Sequence, residues 1–309
     1  MPPYAYFRRQ IIPLSEAKVG IMTHALHYGT GCFEGIRANW NAEEEQMYLF
    51  RPREHFERLL KSCRILKINL PYTVDDFIKI MLEVVAKSAF REDVYVRPLA
   101  YKSSEIVGVR LHDLEDDFLM FVTPFGPYLD LDQGIKCCIS SWRRISDNMI
   151  PPRAKVTGLY VNSALAKTEA HENGFDEAIL LTHDGYVSEG SGENIFLVAN
   201  SKLVTPPSAS DILIGITRDT VIKLAKNELG LETVERQIGR SELYVADECF
   251  MTGTAAHVTP VVEIDHRKVG TGQIGPVTKQ LQQIYFDVEQ GKNKKYIDWC
   301  LPAYAKVRR

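Results

Sequence analysis

A break rich in proline, glycine and aspartate at residues 124–134 divides the sequence into two parts, each with alternating helix and strand patterns. A chain of 309 residues is too long for one ordinary small core, so a division into domains is expected. The sequence therefore predicts a two-domain α/β (α+β) protein. The smaller N-terminal domain would cover residues 1–123, the interdomain loop residues 124–134, and the larger C-terminal domain residues 135–309.

Hydrophobic periodicity locates the elements within the two parts. In the first part, it predicts strands at 47–50, 94–101 and 117–123 and helices at 51–68 and 74–90. Thr73, followed by Asp75 and Asp76, is typical of a helix N-terminus. In the second part, it predicts strands at 135–141, 177–182 and 195–199 and helices near 159–172 and 218–229. A cleft between two such domains is a common ligand site.

The composition excludes several classes of protein. A formal net charge of −3 gives no electrostatic reason to expect nucleic acid as a partner. No apolar stretch approaches the length of about 20 residues that a membrane-spanning helix needs. Residues 1–9 lack the hydrophobic core of a signal peptide. We therefore predict a cytoplasmic protein that does not enter the membrane.

The cysteines favour the same location. None of the six forms a C-x-x-C pair, and two of them are adjacent within an apolar run. This pattern predicts reduced, mostly buried thiols and no metal site. The cysteines are Cys32, Cys63, Cys137, Cys138, Cys249 and Cys300.

One generic motif, a G-x-G-x-x-G, occurs at residues 270–275 (GTGQIG). A dinucleotide-binding fingerprint opens a βαβ unit and has an acidic residue about 20 positions later. This match lies near the C-terminus and is followed at once by Pro276, which leaves too little chain for a second parallel strand. It predicts a turn between a strand and a final helix.

Five segments, taken together and in order, resemble the fold-type IV pyridoxal-phosphate enzymes, and among these the branched-chain amino-acid aminotransferases most closely. The resemblance extends from about residue 16 to beyond residue 280. It implies the fold-type IV architecture, an active site in the interdomain cleft, pyridoxal 5'-phosphate as cofactor, and a homodimer or higher homo-oligomer. The segments are 24–37 (HALHYGTGCFEGIR), 51–59 (RPREHFERL), 155–196 (KVTGLYVNSALAKTEAHENGFDEAILLTHDGYVSEGSGENIF), 215–224 (GITRDTVIKL) and 246–261 (ADECFMTGTAAHVTPV).

The third segment carries the residues for the reacting end of the cofactor. An aminotransferase needs a lysine amine that forms an imine and then moves protons, and Lys155 matches the family's Schiff-base lysine. Tyr160 matches the tyrosine that hydrogen-bonds the phenolic oxygen, and Glu189 matches the acid that keeps the ring nitrogen protonated. From position alone, Lys155 fits a solvated residue, Tyr160 a core residue and Glu189 a surface loop. Glu193 is the alternative acid.

The resemblance assigns the cofactor's phosphate to Arg58, Ile216, Thr217 and Thr254. The string Gly215-Ile216-Thr217 is predicted to open a helix, whose N-terminal N–H groups and dipole suit an anion. Without the resemblance, Thr217 would be interpreted as a helix N-cap and Arg58 as an ordinary exposed helical residue.

The substrate carboxylates are assigned by the same resemblance. The residue matching Tyr95 helps to hold the α-carboxylate, together with N–H groups at the positions of Thr254 and Ala255. The residue matching Arg97 lies where a γ-carboxylate binds, which lets one pocket take both leucine and glutamate. Tyr95 and Arg97 alternate along a predicted strand and face the same side, which fits either a shared pocket or a surface ladder.

The apolar walls of the pocket are assigned to Tyr28, Phe33 and Tyr128, which fit core aromatics equally well. Phe125 stands where enteric-type relatives carry a tryptophan, and Asp130 and Asp132 also depart from the family pattern. These departures fall in the predicted interdomain loop, so the side-chain preference of the enzyme is the least determined of the predictions.

The function implied is a ping-pong transamination. The amino group of L-leucine, L-isoleucine or L-valine would pass reversibly to 2-oxoglutarate, giving L-glutamate and a branched-chain 2-oxo acid. A D-amino-acid aminotransferase would carry R-x-H where this sequence has Arg97-Pro98-Leu99. An aminodeoxychorismate lyase, or an aminotransferase that also accepts (R)-amines, would share the catalytic set. The alternative of a different class is a non-enzymatic binding module, against which the intact set of cofactor residues argues.

Overall fold

The computed structural model describes residues 3–126 and 129–304, which divide into two compact units. The first unit contains the described residues of Met1–Gly126, Ala154–Gly158 and Asp287–Arg309, and the second those of Pro127–Arg153 and Leu159–Phe286. The change of unit after Gly126 falls within the predicted loop at 124–134. The units are not the two contiguous segments that were predicted, because a short central segment and the C-terminal segment both join the first unit.

Seventeen strands and six α-helices occur among the described residues. The strands are β1 (Tyr4–Phe7), β2 (Gln10–Pro13), β3 (Gly31–Phe33), β4 (Ile36–Asn41), β5 (Gln46–Phe50), β6 (Val94–Lys102), β7 (Asp116–Pro124), β8 (Ile135–Arg143), β9 (Glu177–Leu181), β10 (Val187–Gly190), β11 (Asn194–Ala199), β12 (Lys202–Thr205), β13 (Thr233–Glu235), β14 (Glu248–Gly253), β15 (His257–Ile264), β16 (Arg267–Lys268) and β17 (Cys300–Pro302). The helices are α1 (His24–Tyr28), α2 (Pro52–Ile65), α3 (Val74–Ser88), α4 (Tyr160–Glu172), α5 (Ile216–Leu229) and α6 (Pro276–Glu289).

The first unit is built on an antiparallel sheet in the order β17-β5-β4-β6-β7-β1-β2, with β3 paired to β6. Helices α2 and α3 pack together, with Phe56 and Phe77 stacked at 5.3 Å between ring centroids. The predicted N-cap of α3 is confirmed, since the Thr73 hydroxyl accepts from the Asp76 N–H at 3.2 Å and the Asp76 carboxylate accepts from the Thr73 N–H at 2.9 Å. Both helices end slightly earlier than predicted, and α3 is capped by Ala89, whose backbone conformation is left-handed.

The second unit is built on a mixed sheet in the order β10-β9-β8-β15-β14-β11-β12-β13, with β16 paired to β15. Strand β8 pairs in parallel with both β9 and β15, and β12 pairs in parallel with β13. Helix α4 connects β8 to β9 and covers them with small side chains, including Ala166 and Ala170, both completely buried. This crossover by a helix is the usual route between parallel strands.

The longer predicted elements are confirmed in both units, among them the strands at 135–141 and 195–199 and the helix at 218–229. The GTGQIG string is confirmed as a turn between strand β16 and helix α6. Gly270 and Gly272 both have positive φ there, at 51° and 78°.

Two segments return to the first unit through backbone pairing. Strand β17 runs antiparallel to β5 at the edge of the first sheet, with Cys300 opposite Phe50. Within the central segment, Val156 forms an isolated bridge with Cys32, and the Phe33 N–H donates to the Lys155 carbonyl at 3.0 Å. These long-range pairings explain why the chain does not divide at one point.

All six cysteines are free and buried, as predicted. Among the described residues, each helix is too short or too polar to cross a membrane.

Candidate active site

The structure distributes the predicted site residues between the two units. The first unit holds Tyr28, Phe33, Arg58, Tyr95, Arg97 and Lys155, and the second holds Tyr160, Glu189, Ile216, Thr217, Thr254 and Ala255. Tyr128 lies outside the described residues. Each set has its own geometry and its own chemistry.

In the first unit, Lys155 is fixed through its backbone. Its carbonyl accepts from the Phe33 N–H at 3.0 Å, and its N–H donates to the Ser62 hydroxyl at 3.2 Å. The Lys155 Nζ lies 5.2 Å from the centroid of the Phe33 ring, and the residue is half-buried. A lysine held in this way presents its amine from a rigid frame while it remains accessible to a small molecule.

Phe33 lies beneath a second cation. The Arg97 guanidinium carbon is 4.4 Å from the centroid of the Phe33 ring and 5.1 Å from that of Tyr95. The Arg97 Nη2 donates to the Tyr95 hydroxyl at 3.3 Å, which confirms that the two residues share one face of β6. The first unit therefore brings an amine and a guanidinium to one apolar ring, that of Phe33, and a phenol contacts the same guanidinium.

Two other aromatic residues occupy different places. Phe125 packs on Tyr95 with ring centroids 5.0 Å apart, and its carbonyl accepts from the Arg37 Nη1 at 3.2 Å. Tyr28 contacts the loop at Gly108, whose N–H donates to the Tyr28 hydroxyl at 3.1 Å. The described contacts place Phe125, rather than Tyr28, directly against the predicted substrate residues.

Arg58 is held by a completely buried carboxylate. Its Nε and Nη2 donate to the two oxygens of Glu34, each at 2.7 Å, in a bidentate pair. The His55 Nδ1 donates to the same carboxylate at 2.7 Å. Burial raises the pKa of Glu34, but the Arg58 guanidinium and the His55 imidazole outweigh that effect and lower the pKa to about 2. Burial also lowers the pKa of His55, so Glu34 is ionised and His55 neutral at pH 7.

In the second unit, Glu189 is a buried residue of β10 and not a surface loop residue. The Arg144 Nη2 lies 2.6 Å from one of its oxygens, and the Asn194 Nδ2 donates to the other at 2.9 Å. The Leu213 N–H also donates to this carboxylate, at 3.1 Å. Three donors from separate segments therefore fix the carboxylate of Glu189 in one orientation.

The alternative acid, Glu193, has the opposite surroundings. It is buried near the equally buried Glu177, and it accepts from the Gly192 N–H at 3.0 Å. Burial, and then the Glu177 carboxylate, raise the pKa of Glu193 above its usual range. A carboxyl that retains its proton at neutral pH is a poor partner for a protonated ring nitrogen, so the electrostatics favour Glu189.

The start of helix α5 has the form of an anion site. Gly215 is the N-cap, so Ile216 and Thr217 occupy the first two helical positions and present N–H groups that the helix itself does not use. The interpretation of Thr217 as an N-cap is therefore wrong. A β-carbon on Gly215 would overlap the Asn194 Oδ1, so a larger residue there would displace the side chain that holds Glu189.

The remaining residues of the second set lie at the ends of elements. Thr254 and Ala255 form part of the three-residue turn between β14 and β15. The strand residues on either side of this turn, Gly253 and His257, pair with each other. Tyr160 is the first residue of α4. All three are half-buried, as expected of side chains and N–H groups that contact a small molecule.

Sequence reasoning missed the residues that hold the site residues in place, namely Glu34, His55, Arg144 and Asn194. A signal was present for His55, which lies three residues before Arg58 and therefore on the same face of a helix. The pairing of Arg144 with Glu189 has no local signal, because it joins distant parts of the chain.

The donor sets fit pyridoxal 5'-phosphate. In the first unit, the Arg58 guanidinium suits a phosphate group. In the second unit, the N–H groups at the start of α5 suit an anion, and a carboxylate held as Glu189 is suits a protonated pyridine nitrogen. An aldehyde suits the Lys155 amine, which can form an imine. No residue of either set requires a metal ion for this chemistry.

Comparison with known proteins agrees with this chemistry. Residues 31–264 match the family model of amino-transferase class IV. The chain is 54% identical over 303 residues to the "Probable branched-chain-amino-acid aminotransferase" of Aquifex aeolicus (strain VF5), covering 98% of this chain and 97% of that one.

Solved structures show the same similarity in three dimensions. The branched-chain amino acid aminotransferase from Thermobaculum terrenum, in its PLP-form, has a TM-score of 0.94 at 39% identity and covers 98% of this chain and 99% of its own. The T.th. branched-chain amino acid aminotransferase, complexed with N-(5'-phosphopyridoxyl)-L-glutamate, has a TM-score of 0.93 at 40% identity, with the same coverage of both chains.

Proposed function

The chain belongs to the amino-transferase class IV family, and we propose that it is a branched-chain amino-acid aminotransferase. It is an enzyme that uses pyridoxal 5'-phosphate. The proposed reaction is the reversible transfer of the amino group of L-leucine, L-isoleucine or L-valine to 2-oxoglutarate, which gives L-glutamate and a branched-chain 2-oxo acid. The observation that carries the proposal is the placement of the Lys155 amine and the Arg97 guanidinium over one aromatic ring, that of Phe33.

Both sets of residues serve one cofactor in this proposal. Pyridoxal 5'-phosphate supplies an aldehyde that accepts an amino group and a ring that withdraws electrons from the substrate. Arg58, Ile216, Thr217 and Thr254 hold its phosphate, which is supported by the guanidinium and the helix N-terminus described above.

Three residues act on the reacting part of the cofactor. Glu189 accepts from the ring nitrogen and keeps it protonated, supported by the arginine and amide that fix its carboxylate. Tyr160 hydrogen-bonds the phenolic oxygen. The Lys155 amine would hold the cofactor between turnovers and, as a free base, would move the α-proton of the substrate.

The substrate's carboxylates are bound by donors from both sets. Tyr95 and the N–H groups of Thr254 and Ala255 hold the α-carboxylate. Arg97 binds the γ-carboxylate of glutamate or 2-oxoglutarate, supported by the position of its guanidinium over Phe33 and beside Tyr95. The complex of the T.th. relative with N-(5'-phosphopyridoxyl)-L-glutamate supports glutamate as one of the two substrates. Branched apolar side chains would contact Phe33, and the resemblance assigns Tyr28 and Tyr128 to the same apolar wall. The two substrates therefore use one pocket in turn, which is the requirement of a ping-pong mechanism.

A homodimer or higher homo-oligomer is part of the proposal. Exposed apolar side chains of the first unit support it, since Ile21 is 84% exposed and Val109 is 89% exposed. The segments that carry them are joined by a bridge between Thr23 and Glu105 and by the His24 N–H, which donates to the Ser104 carbonyl at 2.9 Å. An exposed apolar area of this kind is typical of an interface. A fully active monomer at low concentration would contradict this part of the proposal.

The half-reaction tests the function directly. The protein is purified with pyridoxal 5'-phosphate, and its visible absorption is recorded before and after addition of L-leucine, L-glutamate, D-alanine or an (R)-arylalkylamine. Loss of the visible band of the lysine-bound cofactor with L-leucine and L-glutamate, but not with D-alanine, is expected. A response to D-alanine alone would support a D-amino-acid aminotransferase instead, and a response to the (R)-amine would show a broader pocket. A protein without any visible band would contradict the proposal.

A further inference from the structure

Glu34 is the most deeply buried charged group of the first unit's candidate site. Its side chain has no exposed surface, and its N–H donates to the Pro98 carbonyl at 2.9 Å, which fixes the backbone between β3 and β4. An ionised carboxylate away from water is destabilising unless it is paired. The carboxylate of Glu34 therefore requires a partner of opposite charge, and the identity of that partner indicates what the buried charge does.

The partner is Arg58, and the contact determines the orientation of its guanidinium. A guanidinium has five N–H donors in one plane. Glu34 takes the edge formed by Nε and Nη2, so the Nη1 end points away from Glu34 in a plane that the carboxylate fixes. A single hydrogen bond would leave the guanidinium free to rotate, whereas two parallel bonds do not.

His55 completes the arrangement without adding charge. It lies one helical turn before Arg58 on α2 and donates its Nδ1 proton to Glu34, at 2.7 Å. Because the imidazole is neutral, Glu34 and Arg58 form a pair with no net charge. The third hydrogen bond holds the carboxylate in the plane that Arg58 requires.

The same part of the fold positions the lysine. The Ser62 hydroxyl donates to the Arg58 carbonyl at 3.1 Å and accepts from the Lys155 N–H at 3.2 Å. Phe33, the residue before Glu34, donates its N–H to the Lys155 carbonyl at 3.0 Å. The guanidinium and the amine are thus fixed by neighbouring residues of one frame, which suits two groups that contact one small molecule.

We propose that Glu34, assisted by His55, is a positioning residue that orients Arg58 to bind the phosphate of the cofactor. The inference rests on the proposed function, in which Arg58 is a phosphate ligand. In this inference, a buried carboxylate makes the protein select the phosphorylated cofactor over its unphosphorylated form. The carboxylate acts through Arg58, because direct contact between the carboxylate and the phosphate would be repulsive.

The test compares two aldehydes that differ only in the phosphate. The cofactor is removed from the wild-type protein and from Glu34→Gln, and the dissociation constants of pyridoxal 5'-phosphate and of pyridoxal are measured from the visible band. An amide has only one acceptor oxygen and would place an NH2 donor or no acceptor opposite one of the two Arg58 N–H groups, so the bidentate pair and its charge are lost. Glu34→Gln should therefore weaken pyridoxal 5'-phosphate binding by roughly 10-fold or more, the size of one charge-assisted hydrogen bond. Pyridoxal binding should change little, so the ratio of the two constants moves toward one.

Two further variants complete the design. Asp117→Asn makes the same chemical change at a carboxylate of the same sheet that accepts from Tyr101, and it should leave the ratio unchanged. His55→Asn removes one of the three hydrogen bonds and should shift the ratio in the same direction by less. If circular dichroism shows that Glu34→Gln does not fold, the ratio of the two dissociation constants in His55→Asn tests the proposal instead.

The outcomes separate the inference from the function. An equal loss of affinity for both aldehydes in the Glu34 and His55 variants would overturn the positioning role, because a general structural defect does not distinguish them. A wild-type protein that binds pyridoxal and pyridoxal 5'-phosphate equally would overturn it too. A wild-type protein that forms no visible band with either aldehyde would contradict the proposed function itself.

Discussion

The hydroxyl oxygen of Tyr95 occupies the space beside Gly35 in which a β-carbon would lie, closer to that ideal position than van der Waals contact allows. Tyr95 is nearly buried and packs on Phe125, so its ring has little room to retreat. Any side chain at Gly35 would therefore displace the phenol that is proposed to hold the substrate's α-carboxylate. The first prediction follows from this contact.

Gly35→Ala should weaken amino-acid binding by about 10-fold, comparable to the loss of one charge-assisted hydrogen bond. The concentration of L-leucine needed for half-maximal loss of the visible band measures the effect. Gly192→Ala is the matched control, because a β-carbon there would meet no atom within 4 Å. If Gly35→Ala binds L-leucine normally, the displaced phenol has no part in substrate binding.

Arg97→Met should discriminate between the two classes of substrate. It removes the proposed partner of a γ-carboxylate, so kcat/KM for L-glutamate should fall by about 10- to 100-fold relative to that for L-leucine. The exposed Arg91, changed to Met, serves as the control. An equal loss for both substrates would place Arg97 in the support of Tyr95 rather than in recognition of the γ-carboxylate.

Lys155→Ala should abolish turnover and the visible band, with a loss of at least about 10²–10⁴ in rate, since no other amine can move the α-proton. The side chain is half-buried, so the unfolding temperature should change little. Steady-state rates and circular dichroism test both statements, with the exposed Lys136→Ala as control. Wild-type turnover in Lys155→Ala would remove the proposed chemistry.

Arg144→Met should destabilise the cofactor-free protein by about 3–5 kcal/mol, because it leaves the buried Glu189 carboxylate without its cation. The two side chains are only 5% and 6% exposed, whereas those of the ion pair between Arg153 and Asp147 are 52% and 54% exposed. Arg153→Met should therefore cost at most about 1 kcal/mol. Urea unfolding compares the two variants, and similar losses would show that Arg144 contributes no more than a surface charge.

Glu193→Gln should change the pH dependence of unfolding. The folded protein retains a proton on Glu193 that the unfolded chain releases above its ordinary pKa of about 4.3, so unfolding is favoured as the pH rises from there through the raised pKa. The substitution removes this contribution, so the unfolding temperature of the variant relative to wild type should increase with pH. A constant difference between pH 5 and pH 9, as expected for the exposed Glu232→Gln, would show that Glu193 is ionised in the folded protein.

The sequence predicted the elements whose signals are local. The N-cap at Thr73 and the apolar run of β5 depend on neighbouring residues, and both were found where they were predicted. Strands of three or four residues such as β1 and β3 were not predicted, because they are too short to show a period and exist only through their partners. The return of β17 to the first sheet was missed for the same reason, since its pairing with β5 joins distant parts of the chain.

The sequence by itself determined which chemical groups are available, through motifs that place Lys155, Arg58 and Glu189 in a recognisable order. Only the tertiary structure decided which charged neighbour each buried carboxyl group has. Glu34, Glu189 and Glu193 are the same residue type and are all buried, yet the first two face an arginine and the third lies near another carboxylate. The pKa of a buried carboxyl depends on the charges that the fold brings close to it from distant positions in the sequence. Glu34 and Arg58 are 24 residues apart, and no local pattern shows that they are neighbours.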